Sequence, residues 1–191
     1  MIPVKNAPKQ HAAYTQAIVN KWNNATPDQK RRGGEWYAMA HEIAAEISGG
    51  KTGKGAGVLA ALSANKSWSE NCRLAHKAFT EGIASGHVRD AINKANRIMA
   101  GTDPSEVLPM HIKTGNFYLC IADPENSEAV VIDRHAHDIA VGEIYGQRNR
   151  GLGTVRRYNA LADCYRAAAQ QIGELPSKVQ AVTWVAHIER K

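Results

Sequence analysis

A chain of 191 residues, 43% of them hydrophobic, is long enough to bury a real core as one domain, or as one domain of two closely packed lobes. No apolar run approaches the roughly 20 residues that span a bilayer, and the polar start MIPVKNAPKQ has no apolar signal segment, so a soluble, intracellular protein is expected. The net charge of +6 suits a polyanion, of which nucleic acid is the commonest, whereas three scattered cysteines without a CxxC pair argue against a disulfide framework, a zinc site and an iron–sulfur cluster.

Taken in order, nearly every segment reads as helix. The first runs from His11 to Asn23, with Tyr14, Ala17, Ile18 and Trp22 on one face. Thr26-Pro27 is a cap followed by proline at the first helical position. That helix reaches Ile47 unless Gly33-Gly34 breaks it, and Trp36, Met39, Ala40, Ile43 and Ile47 give its core stripe. Gly49 to Gly57, GGKTGKGAG, reads as a flexible glycine-rich connector. Its Gly50-Lys51-Thr52 imitates the close of a phosphate-binding loop, but the first glycine of that motif would fall on Ala45 and a helix precedes it, so a nucleotide site is rejected. Lys51 and Lys54 are left as candidate contacts to backbone phosphate.

An apolar helix, Gly57 to Ser63, leads through Ala64-Asn65 to a second one. There Ser67 caps, Glu70 sits three residues on, and Leu74, Ala75 and Phe79 face inward. Cys72, Cys120 and Cys164 read as small buried hydrophobes within helices. A further helix covers His87 to Ala100, with Val88, Ala91, Ile92, Ala95 and Ile98 inward. Asp103-Pro104-Ser105-Glu106 starts a short one. Ala129 to Ile132, AVVI, is the one segment that reads as extended. Helices follow over Asp133 to Ile144, Thr154 to Ile172 and from Pro176, where Val179, Val182, Trp184, Val185 and Ile188 are expected in the core. The class is all-α.

Three blocks stand in a telling order. LSANKSWSENCRLA joins an apolar helix to a polar-capped one. LPMHIKTGNFYL, within a helix, tight connection and helix over about 104–122, carries Lys113. VIDRHAHDIA carries Asp133. Together, over about Gly57 to Ala140, they resemble the helix-hairpin-helix DNA glycosylase superfamily, whose blocks read like LLSAQATD with SVNKA, LPGVGRKTANVVL and VDTHVxR. The resemblance implies a two-lobed helix-hairpin-helix glycosylase-like fold for residues 1–191. The N- and C-terminal helices would form the second lobe, with an active cleft between the lobes. The member would be divergent, lack the iron–sulfur cluster and be similar in style to phage proteins, which would place it in the cytoplasm of a bacterial host.

The same resemblance implies roles. Lys113 falls on the nucleophilic lysine and Asp133 on the catalytic aspartate. Asn65 falls where a polar residue enters the gap left by an everted base, and His135 on a structural histidine. Lysine attack at the sugar C1′ would break the base–sugar bond and leave a Schiff base, with the carboxylate stabilising the cationic sugar. Here the hairpin reads Met110-His111-Ile112 where the family has glycines, and His111 is a candidate substitute for their phosphate grip.

The remaining signals are read against plainer ones. Asp133 and His137 lie four apart, but a metal site needs further ligands and none is expected. Arg148 and Arg150, in a loop rich in glycine and arginine, are candidate phosphate contacts. Tyr145 and Tyr158 flank that loop as stacking or core residues, and Trp68 is the aromatic nearest the expected site. DNA is the expected partner, with no cofactor, membrane or protein partner. A base-hypermodification enzyme on the same scaffold and a DNA-binding or inhibitory module without chemistry are the alternatives.

Overall fold

A computed structural model describes residues 8–189. They form ten helices: α1 Pro8–Asn23, α2 Pro27–Ile47, α3 Thr52–Ala61, α4 Trp68–Glu81, α5 Arg89–Met99, α6 Pro104–Val107, α7 Lys113–Ala122, α8 Arg134–Val141, α9 Val155–Ile172 and α10 Pro176–Ile188. Among the described residues there is no strand, so the all-α class holds. No described helix is long and apolar enough to cross a membrane. The chain divides into two compact units: residues 1–37 with 125–191, and residues 38–124.

In the first unit α1 packs on α8, α9 and α10, and α10 on α8 and α9. Ile18, Ile132, Leu161, Val179 and Val182 are fully enclosed. Gly33-Gly34 does not interrupt α2. A methyl group on Gly33 would come 2.4 Å from the Val182 Cα, so the glycine serves close contact between helices and not a break. The extended reading of AVVI holds only as irregular chain. In place of a neighbouring strand, the Tyr158 hydroxyl donates to the Val130 carbonyl at 2.8 Å and accepts from the Ile132 N–H at 3.0 Å. One buried side chain thereby satisfies backbone groups that a sheet would otherwise pair.

In the second unit α3 is the hub, packed against α4, α5, α6 and α7. Residues Gly55 to Ala61 are all buried, as expected of a helix apolar on every side. The predicted glycine-rich connector is therefore half helix: α3 starts at Thr52, leaving only Gly49 and Gly50 in left-handed turn geometry. Gly55 is needed because a Cβ there would lie 2.0 Å from the Ala44 carbonyl oxygen.

The core stripe of α2 is also rotated from the expected one. Ala40, Ala44 and Ser48 are buried, while Met39 is 45% exposed. Alanines let the helix approach closely, and a stripe picked by size misses them. Val88, expected inward, caps α5 and is 64% exposed, and Ile188 also faces solvent. The helix predicted to reach Ile144 ends at Val141, where Gly142 takes a left-handed conformation.

Candidate functional site

The second unit carries the segment expected to form the hairpin. Asp103 caps α6 by accepting from the Ser105 N–H at 2.8 Å, and the chain turns through Leu108–Ile112 into α7. Two residues hold this turn. The Asn116 amide donates to the Ile112 carbonyl at 3.1 Å. Gly115 lies so close beneath it that a Cβ would be 2.2 Å from the Met110 Cα. His111 is exposed on the turn, and Lys113 is exposed as the first residue of α7.

Four residues on, Phe117 lies on the same face of α7 as Lys113. Its ring meets Trp68 edge to face, with centroids 6.3 Å apart and planes at 81°. Trp68 opens α4 behind the Ser67 cap, whose hydroxyl accepts from the Glu70 N–H at 3.3 Å. Both rings are half-buried. Three residues before Trp68, exposed Asn65 holds φ +57°, the one non-glycine among the described residues in the left-handed region. The His87 ring bonds the neighbouring Ala64 carbonyl at 2.9 Å and pins that turn. Lys51 is exposed at the start of α3, whereas the Lys54 amine donates to the Met99 carbonyl at 3.0 Å, at the end of α5.

The first unit carries Asp133. It caps α8: Oδ1 accepts from the His135 and Ala136 N–H groups at 2.9 and 2.8 Å. Oδ2 accepts from the Trp184 indole at 3.2 Å. Trp184, expected in the core, is thus only half-buried and orients the carboxylate. His135 is half-buried with its ring against Trp184 and His187. Its pKa lies below the ordinary histidine value because burial disfavours the charged ring, despite the neighbouring Asp133.

Beside this lies a buried polar chain that the sequence did not disclose. His137 Nδ1 donates to Asp138 Oδ1 at 2.8 Å, and Arg157 Nη2 donates to His137 Nε2 at 3.0 Å. Arg150 grips Asp138 with two bonds of 2.7 Å. The Tyr145 N–H adds a further bond at 3.2 Å. Burial pushes the Asp138 carboxyl up, but these partners outweigh it and hold it down at about 2. Burial lowers the His137 pKa against the pull of Asp138, leaving a neutral ring that accepts from Arg157.

Arg150 therefore ties the loop 142–154 to α8. Arg148 is exposed, bonding the equally exposed Glu143 at 2.6 Å and lying over the Tyr145 ring at 4.2 Å. Tyr145 and Tyr158 are core residues. His137 turns to Asp138 and Arg157, not to the Asp133 side chain, and no cluster of three or more metal-ligating side chains occurs among the described residues.

Lys113, Asn65, Trp68, His111, Lys51 and Lys54 thus lie in the second unit, and Asp133, Arg148 and Arg150 in the first. The ring contact between Trp68 and Phe117, 49 positions apart, had no signal in the sequence. The link from Trp184 to Asp133 spans 51 positions and had none.

The model of a family of unknown function, DUF7178, matches residues 1–191, and the chain belongs to that family. No curated protein and no solved structure matches it.

Proposed function

We propose that this member of DUF7178 binds DNA and acts on an everted base, cleaving the base–sugar bond with Lys113 as nucleophile and Asp133 as carboxylate partner. The observation that carries the reading is the exposed Lys113 amine at the first position of α7, directly after the hairpin turn. A lysine amine attacks carbon only when neutral. Its lone pair forms a bond to C1′ as the C1′–N bond breaks. That bond's electron pair leaves with the base, which takes up a proton. Transfer of one amine proton to O4′ frees the nitrogen pair to form the C1′=N bond as the C1′–O4′ pair moves to O4′, giving a hydroxyl and a protonated Schiff base.

Asp133 is suited to its part because three N–H donors fix the orientation of its carboxylate. Eversion of the nucleotide costs a few kcal/mol, to be offset by contacts to the flanking phosphates and to the base.

One observation favours a second reading, a DNA-binding module without chemistry. Capping α8 is by itself a sufficient structural role for Asp133. A base-release and strand-nicking screen on duplexes carrying single modified bases separates the two. The enzymatic reading expects release that disappears in Lys113→Ala and falls by orders of magnitude in Asp133→Asn. Salt-sensitive binding with no release from any duplex is the outcome the second reading expects.

A further inference from the structure

A cleft of about 250 Å³ opens in the first unit between the last turns of α1 and the C-terminal end of α8. The proposed chemistry does not use it, since Asp133 caps α8 at the other end, about 12 Å away along the helix axis. The cleft falls short of the roughly 300–1,000 Å³ of sites for drug-sized ligands, so it has room for one fused ring system.

Its lining sets the chemistry. Asn20 and Asn24 stand one helical turn apart along one wall. The Asn20 Oδ1 accepts from the Gln16 amide at 2.9 Å, which leaves the Asn20 NH2 group without a partner among the described residues. The Asn24 carboxamide is exposed and has no hydrogen-bond partner among them. Charges in the cleft nearly cancel: Lys21 stands with Asp138 and Glu143, and those two acids are already bonded by Arg150 and Arg148. A neutral ligand is therefore favoured over an ionised one. Ile139, nearly buried, and Ile144, 61% exposed, offer apolar surface that a flat ring would cover.

A flat, neutral ring with donors and acceptors on its edge is a nucleobase. An asparagine carboxamide matches one purine edge in particular: its oxygen accepts from the adenine N6 amine while its NH2 group donates to N7. Guanine and hypoxanthine present acceptors at both places and leave the asparagine oxygen unmatched. We propose that this cleft binds an adenine base, read by Asn24, with Asn20 donating to a second ring nitrogen. The site is separate from Asp133 and does not depend on base cleavage.

The test is an NMR titration of the full, isotope-labelled chain with adenine, with hypoxanthine, and with short dA and dT strands. Adenine should shift the side-chain amide signals of Asn20 and Asn24 and bind with a Kd of about 0.1–1 mM, as expected of a ligand this small. Hypoxanthine should bind about tenfold more weakly, the worth of one mismatched hydrogen-bond pair. Asn24→Ala and Asn24→Asp should bring adenine to the hypoxanthine level, and the amide spectra of both variants check that they fold. Shifts from the dA strand and not the dT strand identify a base presented by nucleic acid. Shifts from adenine alone identify the free base as the ligand. No shift from adenine or the dA strand, equal affinity for adenine and hypoxanthine, or unchanged adenine binding in the folded variants overturns the site. Base release is a separate readout, so failure of this site and failure of the cleavage reading are told apart.

Discussion

The two units reach stability by different routes. The first is bound by polar chemistry: tyrosine hydroxyls fasten backbone, and Arg150, Asp138, His137 and Arg157 form one buried chain. The second is bound by shape: α3 is buried from Gly55 to Ala61, and glycines admit neighbouring backbone at distances that exclude a methyl group. Charge follows the same division. The first unit has 15 Lys and Arg against 10 Asp and Glu, the second 9 against 8, so five of the six excess positive charges belong to the first. A polar framework can hold an oriented carboxylate such as Asp133. A tight apolar one can hold a helix start, and with it Lys113, in one place.

The comparison breaks most severely at Asp138. Asp138→Ala leaves the Arg150 guanidinium, with its side chain 10% exposed, and the His137 ring without their acid, and about 3–5 kcal/mol of stability should be lost. Urea unfolding followed by tryptophan emission reads this. Trp22, Trp36 and Trp184 lie in the first unit and Trp68 in the second, so emission in a Trp68→Phe background follows the first unit alone. A loss under 1 kcal/mol would mean that the buried chain does not hold that unit.

Gly55→Ala is the corresponding test of the second unit. The added methyl meets the Ala44 carbonyl, and overpacking should cost about 1–3 kcal/mol, read from the Trp68 emission that the Trp68→Phe background lacks. A neutral result would show that α2 and α3 have room to separate.

Acid should act on the first unit by two steps of the same sign. The His137 pKa is lowered on folding, so the unfolded chain binds the extra proton. The stability this contributes is complete above about 6.5 and is lost as pH falls below it. Asp138 is likewise lowered, from 3.8 to about 2, and its contribution of about 2 kcal/mol disappears across that interval. Urea midpoints measured from pH 8 downward should fall first near 6.5, where His135 is lowered as well, and the fall should be smaller in His137→Gln. The smallest expected effect is at Ser67, where loss of the cap in Ser67→Ala should cost about 1 kcal/mol in the second unit.

What could be read beforehand follows the same division. Caps and helix periods are local, so Asp103, Ser67 and the starts at Pro27 and Pro176 were legible. Small-residue packing was not. Gly33 and Gly55 look like breakers until the facing helix is seen, and Ala44 gives way to Met39 in any stripe chosen by size. The polar network was least legible, because Arg150 reads as a candidate phosphate contact and His137 only by its spacing from Asp133, and their meaning lies in the pairing. Lys113 and Asp133 were legible as candidates through motif order, whereas the donors that orient Asp133 include one from 51 positions away.

The most direct test of the central claim is borohydride trapping on DNA carrying an abasic site or a modified base, followed by peptide mapping of the adduct. The account predicts a covalent protein–DNA species whose modified residue is Lys113, absent in Lys113→Ala. An adduct on another lysine, or base release that proceeds undiminished in Lys113→Ala, would contradict it.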